Sequence, residues 1–226
     1  MSGPLPAPVV FLCAYVLGSV PFGLLIAKAV RGIDIRSFGS GNVGATNVGR
    51  ALGKGWFFVV FLLDAAKGGL PVVFFPLLAS GEWSDGVLAV GCGLCAVLGH
   101  VFSLFLRFRG GKGVATTAGA ILAISPPAAG GALLVFLAVF LAFRYVSLAS
   151  VLAAVSFPAL VWWLDPREPV LIFAAVVAVL VAVRHQSNLR RLLQGTEHQI
   201  SFSRSAAVPS EPSATSEPAG DPEHDA

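Results

Sequence analysis

Long apolar runs alternate along this chain with short polar segments that are rich in glycine and basic residues. Five runs predict membrane-spanning helices, over Val9–Val30, Trp56–Ala79, Gly86–Leu106, Val146–Leu164 and Val170–Val183. A helix needs about 20 mostly apolar residues to cross the hydrocarbon core of a bilayer, and most of these runs approach that length. The pattern therefore predicts a chain that crosses a membrane several times.

The apolar run Val114–Phe143 is interrupted by Ser125-Pro126-Pro127 and by Gly130-Gly131. Prolines and paired glycines break helices and favour turns, so this run is either one long kinked span or two short ones. Basic residues in Arg107–Gly113 and at Arg144 flank the run, and the positive-inside rule places both flanks in the cytoplasm. The chain must then cross and return or re-enter, and we expect two tilted arms of about 11 and 14 residues.

Basic residues are concentrated in some of the connecting segments and almost absent from others. Twelve of the fifteen Lys and Arg lie in Arg31–Gly55, Arg107–Gly113, Arg144 and Arg184–Arg204. Residues 80–85 and 165–169 contain four acidic residues and only one basic residue, Arg167. Because basic loops stay on the cytoplasmic side, we predict an all-α integral membrane protein with about seven transmembrane helical segments. Its N-terminus is expected outside and its C-terminus in the cytoplasm.

Composition narrows the class of protein further. Hydrophobic residues make up 56% of the 226 residues and charged residues only 12%. So few polar groups cannot cover a water-facing surface, which excludes a soluble enzyme, a nucleic-acid-binding domain and a disordered chain. No basic residue precedes the first apolar run, so we expect a retained span rather than a signal peptide. Residues 1–200 are predicted to form one polytopic membrane domain, and residues 201–226 a disordered cytoplasmic tail.

The three cysteines lie inside apolar runs, so they do not form a secreted disulfide framework. Cys92 and Cys95 are three residues apart, which places them side by side within one predicted span. Because no second pair or further ligand set accompanies them, we interpret both as packing residues and expect no metal and no cofactor.

The first polar segment, from Ser37 to Lys54, is unusual for a simple connection. Its glycines, including Gly41 and Gly44, let backbone N–H groups approach an anion closely. Neutral donors and two cations are added by Ser40, Asn42, Thr46, Asn47, Arg50 and Lys54. A flexible glycine-rich linker is the alternative, but such linkers rarely carry this set of side chains. The segment therefore predicts an anion or phosphate site.

The second polar segment contains the turn Gly110-Gly111-Lys112-Gly113, which leads into a predicted helix that includes Thr116. Free N–H groups, the helix dipole and a lysine converge at such a point, so the turn predicts an anion cradle. It is not a Walker A motif, because Gly113 stands where that motif has Ser or Thr. The alternative is that the segment is only a positive-inside anchor, and this would account for Arg107 and Arg109.

The third polar segment runs from Arg184 to Glu197. His185 and Asn188 are three residues apart and share a helical face, whereas Leu189, Leu192 and Leu193 form an apolar stripe. The segment is typical of an amphipathic helix at the membrane interface. An interfacial helix can also contribute to a functional site, if the stripe lies on the lipid and the two polar side chains point into that site.

Ionisable residues also occur within the predicted spans, where such groups are costly and tend to pair. Asp64 and Lys67 are three residues apart, so we expect an ion pair, either near the site or purely structural. His100 lies near the end of the third run, where it is either a candidate base or a packing residue.

Taken together, these segments resemble the bacterial acyl-phosphate:glycerol-3-phosphate acyltransferase family, over nearly the whole chain to about Ile200. The resemblance rests on Gly18–Gly23, on Gly39–Asn47, on Gly99-His100 with Gly110–Thr116, on Arg144 and Ser147, and on His185, Asn188, Gly195 and Glu197. Two departures are small, since Ser103 stands where the family usually has Pro, and Arg109 where Lys is commoner.

The resemblance implies a multi-pass enzyme of the bacterial inner membrane with its active site facing the cytoplasm. Its partners would be the lipid bilayer and two substrates, acyl phosphate and glycerol 3-phosphate, with no nucleic acid and no obligate protein partner. The enzyme would transfer a fatty acyl group from acyl phosphate to the 1-hydroxyl of sn-glycerol 3-phosphate, giving lysophosphatidic acid and inorganic phosphate. Acyl phosphate carries a good leaving group, so positioning and charge stabilisation are the main tasks of the site.

The resulting hypothesis assigns Ser40, Asn42 and neighbouring N–H groups to the acyl phosphate and the tetrahedral oxyanion. Lys112, Arg50 and the glycine turn would hold glycerol phosphate, and further phosphate contacts are expected from Lys54, Lys67, Arg144 and Ser147. His185 with Asn188 would orient the attacking hydroxyl, and His100 is the second candidate base. Asp64 and Glu197 are assigned structural roles. A covalent acyl-Ser40 intermediate is less favoured, because an activated donor does not need one.

Other classes fit the residues less well. The His-x4-Asp pair of acyl-CoA-dependent glycerolipid acyltransferases is absent at His100 and His185, because Phe105 and Arg190 stand five positions after them. Before the tail, no loop or span contains the clustered aspartates of CDP-alcohol phosphotransferases. A transporter of a small organic phosphate is the alternative, since broken helices and intramembrane charge occur there too.

Overall fold

The computed structural model describes residues 3–80 and 85–200, and most of that part of the chain is helical. The helices are α1 (Ala7–Ser19), α2 (Phe22–Arg31), α3 (Ala45–Leu52), α4 (Lys54–Phe74), α5 (Asp85–Val101), α6 (Val114–Ile124), α7 (Pro126–Phe143), α8 (Val146–Leu164), α9 (Glu168–Arg184) and α10 (Gln186–Leu193). Two short strands, β1 (Leu5–Pro6) and β2 (Ala79–Ser80), pair in parallel. Three short 3₁₀ helices cover Ile35–Ser37, Pro76–Leu78 and Leu104–Leu106. The predicted helical membrane fold is confirmed.

Within the described ranges, five stretches are long and apolar enough to cross a bilayer. They are Ala7–Arg31, Lys54–Leu78, Gly86–Leu106, Pro126–Phe143 and Val146–Leu164. Helices α9 and α10, which meet at a bend of 55°, would together provide a sixth. Helix α6 is apolar but only 11 residues long. The total of about seven segments and the orientation therefore stay predictions.

The first predicted span is divided into two helices by the pair Val20–Pro21. Proline has no N–H to donate and its ring clashes with the preceding turn, so α1 ends at Ser19 and α2 begins at Phe22. Helix α2 then ends at Gly32, whose φ of 68° lies in the left-handed region that closes many helices. The chain then leads into the first polar segment, which begins at Ser37.

The run Val114–Phe143 forms two helices, as its flanking charges indicated, but the break lies elsewhere than expected. Helix α6 ends at Ile124 and Ser125 alone separates it from α7. Pro126 and Pro127 occupy the first turn of α7, where a missing N–H costs nothing, and Gly130-Gly131 continue the helix. The second arm therefore has 18 residues rather than the shorter length expected.

Small residues allow the helices nearest the polar segments to approach closely, as is common in membrane proteins. Helices α1 and α5 touch at Gly18 and Gly99, where an added Cβ would overlap the backbone of the partner helix. Helices α4 and α6 touch in the same way at Gly68 and Gly119. These contacts fix the end of α5 and the start of α6, which flank the turn around Lys112.

The chain after α10 returns across the junction between α7 and α8. The Ile200 N–H donates to the Arg144 carbonyl over 3.0 Å, and the Gln199 side chain donates to the Phe143 carbonyl over 3.4 Å. This return brings Glu197 beside Ser147 at the start of α8. The predicted tail, residues 201–226, lies outside the described residues.

Candidate active site

The loop between α2 and α3 is held in one shape by the buried side chain of Asn47. Its amide nitrogen donates to the carbonyls of Ile35, Phe38 and Asn42 at 3.1, 2.9 and 2.9 Å. Its amide oxygen accepts the Ser40 N–H over 3.0 Å. This residue therefore organises the loop, and the interpretation as a flexible linker is wrong.

Two glycines and one further side chain complete the loop. Gly39 and Gly41 have φ values of 55° and 68°, which most other residues avoid. The Asn42 side-chain oxygen accepts the Gly44 N–H over 2.8 Å, just before α3 begins. The Gly41 N–H donates to the Phe38 carbonyl over 2.9 Å. The N–H groups of Ser40, Gly41 and Gly44 are thus used within the loop and are not available to a ligand.

The glycine turn packs directly onto the end of α5. The Gly110 N–H donates to the Val101 carbonyl over 3.0 Å, and the Gly111 N–H donates to the His100 carbonyl over 3.1 Å. These two N–H groups are therefore not free to bind an anion, which corrects the expected cradle. Gly113, with a φ of 81°, then starts α6. The turn contributes its lysine rather than its first two amides.

Lys112 joins the second polar segment to the third. Its Nζ donates to the Asn188 side-chain oxygen over 2.5 Å. Burial is the main reason that the pKa of Lys112 falls to about 8; Glu197 opposes this shift, and nearby arginines add to it. A partly buried amine with a lowered pKa and one neutral partner can take an anion without losing a strong ion pair.

Glu197 fixes Asn188 from the opposite side. Its Oε1 accepts hydrogen bonds from the Asn188 amide at 2.7 Å and the Ser147 hydroxyl at 2.8 Å. Its Oε2 accepts from Arg191 Nε at 2.8 Å. Burial alone would raise the pKa of Glu197, but these hydrogen bonds outweigh it and lower the pKa. The carboxylate therefore stays charged and orients Asn188 toward Lys112.

The three polar segments meet around a single pocket of about 280 Å³. Its lining residues are Ser40, Gly41, Asn42, Gly110, Lys112, Arg184, Ser187, Asn188 and Arg191. Such a volume lies near the lower limit for small-molecule sites, so it suits compact polar groups. Three of the lining side chains are cationic, which favours anions. The predicted convergence of the polar segments at one site is confirmed.

Comparison with known proteins identifies a family for this chain. A family model described as glycerol-3-phosphate acyltransferase matches residues 8–195. A glycerol-3-phosphate acyltransferase of Geotalea daltonii is 45% identical over 190 residues, covering 84% of this chain and 95% of that protein. One of Aquifex aeolicus is 45% identical over 186 residues, covering 82% and 95%.

This chain belongs to the glycerol-3-phosphate acyltransferase family. Two crystal structures of PlsY, an integral membrane glycerol 3-phosphate acyltransferase, share its fold at 42% identity. The glycerol 3-phosphate form has a TM-score of 0.78 and covers 86% of this chain and 96% of PlsY. The lysophosphatidic acid form has a TM-score of 0.76 and covers 86% and 95%. The chain is thus an integral membrane acyltransferase.

Three pocket residues of this acyltransferase were missing from the predicted site, namely Arg184, Ser187 and Arg191. All three belong to the third polar segment, in which only His185 and Asn188 were selected. The signal available was position: residues 184, 188 and 191 recur at helical spacing along one face. The bend between α9 and α10 alters that face, so spacing alone did not identify these residues.

The two histidines of the predicted site do not line the pocket. His185 is buried between α9 and α10, with its Nδ1 2.8 Å from the Val181 carbonyl oxygen. His100 is buried in α5 beneath the turn, and a Cβ on Gly111 would overlap its ring. Any effect of either ring on a substrate in this pocket therefore passes through a neighbouring residue.

The Asp64–Lys67 ion pair is present but lies away from the pocket. Lys67 Nζ is 2.7 Å from Asp64 Oδ1 and donates to the Val20 carbonyl over 2.7 Å. His100 Nδ1 lies 3.8 Å from the same carboxylate oxygen. The adjoining cavity has a volume of about 10 Å³, enough for one water molecule. This arrangement holds no space for a substrate phosphate at Lys67.

The remaining predicted phosphate contacts do not line the pocket. They are Gly44, Thr46, Asn47, Arg50, Lys54, Gly111, Gly113, Thr116, Arg144 and Ser147. Arg50 and Lys54 are exposed, at the end of α3 and the start of α4. Asn47 and Ser147 instead hold the loop and Glu197 in place. Among residues 3–80 and 85–200, no group of three or more His, Cys, Asp or Glu could hold a metal ion.

Proposed function

We propose that this acyltransferase takes its acyl group from acyl phosphate and transfers it to the 1-hydroxyl of sn-glycerol 3-phosphate. The products would be lysophosphatidic acid and inorganic phosphate. The observation that carries this proposal is the contact between Lys112 and Asn188 in one cationic pocket beside the Ser40–Asn42 loop. The glycerol 3-phosphate and lysophosphatidic acid forms of PlsY support the acceptor and the product.

The cationic side of the pocket is suited to the phosphate of the acceptor. Lys112, Arg184 and Arg191 line it, and Glu197 is the carboxylate that balances part of their charge. Guanidinium groups and a lysine in a partly water-excluded site bind phosphate strongly. Glycerol 3-phosphate bound there would direct its free hydroxyl groups toward the loop on the other side.

The loop would act on the acyl phosphate and on the oxyanion that forms during attack. Because the N–H groups of Ser40 and Gly41 donate within the loop, the Ser40 hydroxyl and the Asn42 amide nitrogen are the donors assigned to that charge. The acceptor oxygen adds to the acyl carbon, the bond from that carbon to the phosphate oxygen breaks, and phosphate leaves. Preorganised donors at a developing oxyanion are worth about 10²- to 10³-fold in rate.

The acceptor hydroxyl must lose its proton during this step. His185 is assigned to its orientation through Asn188, since the imidazole is buried behind that residue rather than in the pocket. The leaving phosphate is itself basic enough to take the proton, so the reaction is balanced without a separate base. A covalent acyl-Ser40 intermediate is again not required, because the donor is already activated.

The charge pattern supports a position of this pocket at the cytoplasmic face of the bacterial inner membrane. The polar segments that line it carry most of the basic residues, which remain on the cytoplasmic side. A site at this depth would receive the acyl chain laterally from the inner leaflet and the acceptor from the cytoplasm. No protein partner is needed for this scheme.

The test uses the purified protein in detergent with glycerol 3-phosphate and either acyl phosphate or acyl-CoA. We expect phosphate release and lysophosphatidic acid with acyl phosphate, and no product with acyl-CoA. Ser40→Ala and Lys112→Gln should each lower kcat/KM about 100-fold or more. Equal use of both donors would contradict the assignment of the donor, and uptake of glycerol 3-phosphate into vesicles without acyl transfer would favour a transporter. Recovery of acylated Ser40 after rapid quenching would replace direct transfer by a covalent route.

A further inference from the structure

We propose that Arg184 is a positioning residue that holds the Gly110–Gly111 turn and thereby sets the place of Lys112. The inference rests on the proposed function, because Lys112 is taken to bind the acceptor phosphate. Arg184 Nη2 donates to the Gly110 carbonyl over 2.9 Å, and its Nε donates to the Gly111 carbonyl over 3.2 Å. The guanidinium therefore uses two donors of its planar fork, Nε and Nη2, on the protein backbone.

On the side opposite Arg184, Gly110 and Gly111 are hydrogen-bonded to α5. Their N–H groups donate to the carbonyls of Val101 and His100. Both polar groups of Gly110 and of Gly111 are thus satisfied, with the N–H groups facing α5 and the carbonyls facing α9. A turn of two glycines is otherwise among the most mobile kinds of backbone. Here Arg184 supplies one of the two surfaces that hold it.

Packing against α5 prevents the turn from moving toward that helix. A Cβ on Gly110 would overlap the His100 carbonyl, and a Cβ on Gly111 would overlap the His100 ring. The turn is therefore already in contact with α5 and cannot shift that way. Movement toward α9 is limited by Arg184, so removal of its side chain would release the turn on that side.

Lys112 comes directly after Gly111. Helix α9 holds the backbone before it, and helix α10 holds its side chain. Arg184, at the end of α9, fixes the backbone just before Lys112, while Asn188 in α10 accepts the bond from its ammonium group. The two residues are four apart, on either side of the bend between α9 and α10. Through this pair of contacts the bend determines where the ammonium lies in the pocket.

Arg184 also lines the pocket, so its positive charge could instead act on the substrate directly. The two roles make different demands on the side chain. Direct attraction needs a positive charge, which lysine retains. Positioning needs a planar fork with two donors at a fixed separation, which lysine lacks.

The experiment is a double-mutant cycle on the full-length enzyme in detergent, using Arg184→Gln, Lys112→Gln and the double variant. Arg184→Gln is expected to lower kcat/KM for glycerol 3-phosphate on the order of 100-fold, as a displacement of about 1 Å can do. The loss should appear in the KM for glycerol 3-phosphate and in kcat, with the KM for acyl phosphate unchanged. The double variant should be no slower than Lys112→Gln within about twofold.

Arg184→Lys should be as impaired as Arg184→Gln, and the matched control Arg190→Gln, at an exposed position of α10, should behave as wild type. Near-normal activity of Arg184→Lys, or losses that multiply in the double variant, would overturn the positioning role. Melting temperatures close to wild type establish that each variant is folded; a variant that unfolds on its own would equally count against a local role. Wild-type enzyme that fails to use acyl phosphate would refute the proposed function. The positioning role is tested instead by comparing the variants with the wild type, so the two failures are distinguishable.

Discussion

Most polar side chains around the pocket bind the protein's own backbone or one another. Asn47 holds the first loop, Arg184 holds the glycine turn, and Glu197 holds Asn188. Only a few groups remain to meet a substrate, chiefly Ser40, the Asn42 amide and the Lys112 ammonium. A geometry held by so many internal bonds is preorganised, which is the condition for electrostatic catalysis.

The lowered pKa of Lys112 leads to a prediction about pH. The ordinary pKa of a lysine is 10.5, and that of Lys112 is about 8. Because the charged ammonium is the proposed ligand of the acceptor phosphate, kcat/KM for glycerol 3-phosphate should fall as the pH rises through about 8. Initial rates at low acceptor concentration between pH 6 and 10 measure this limb, which reports the free enzyme.

The control is Lys112→Arg, in which the guanidinium stays protonated throughout that range. Its residual activity should not fall above pH 8, even if its rate is lower than that of wild type. An unchanged alkaline limb in this variant would mean that another group is responsible.

At the scale of elements, the site depends on how closely α4 approaches α6. Gly119 faces the Ala65 carbonyl, and the backbone of α6 carries the turn at its N-terminus. Gly119→Ala should lower the melting temperature and the activity, although alanine favours the helix itself. The expected loss is on the order of 2 kcal/mol, as for other overpacked interiors.

The matched control is Gly130→Ala in α7, where an added Cβ has no neighbour within 4 Å. That variant should be as stable as wild type or slightly more stable. Thermal unfolding of both proteins in the same detergent distinguishes them. Equal melting temperatures would contradict the importance of the α4–α6 contact.

The segment that returns after α10 is the other element on which the site depends. Glu197→Gln removes the charge that accepts bonds from Ser147, Asn188 and Arg191, so it should cost on the order of 2 kcal/mol of stability. The rate should fall as well, because Asn188 loses its orientation. Glu168→Gln, at an exposed carboxylate of α9, is the control and should change neither property. A normal melting temperature and rate for Glu197→Gln would show that the return is held by other contacts.

Features that depend on a repeated pattern of residues were predicted correctly, whereas features that depend on a single local contact were not. Apolar runs and the charges beside Val114–Phe143 predicted the helices and the hairpin, because burial in lipid acts on whole segments. The position of the break at Ser125 was missed, since Pro126 and Pro127 are as compatible with a first helical turn as with a loop. Pattern cannot distinguish these two uses of proline.

The same contrast applies to the site. The three polar segments were correctly predicted to converge, because their composition is shared. The direction of each backbone N–H is not encoded in a residue pattern, so the prediction that Gly110 and Gly111 donate to an anion is wrong, because both donate to α5. Arg184 was missed because its role depends on carbonyls that lie more than 70 residues away in sequence.

At the scale of the whole molecule, the remaining prediction concerns sidedness. Helix α9 has 17 residues, so its two ends lie about 25 Å apart, and we expect them on opposite membrane faces. In a variant with Cys13, Cys92 and Cys95 replaced by serine, Ser187→Cys should react with an impermeant maleimide only after the cells are opened. Glu168→Cys should react in intact spheroplasts. The reverse pattern would invert the orientation, and labelling of both from one side would rule out α9 as a span.

The order in which the pocket residues occur along the chain has a consequence for biosynthesis. The loop at Ser40 and the turn at Lys112 are translated early, whereas Asn188 and Glu197 follow the last membrane helix. A nascent chain still attached to the ribosome with α9 unfinished has two parts of the site but no partner for the lysine. The pocket is therefore complete only after all of these helices have been translated and inserted, so a partly synthesised copy lacks the assembled site.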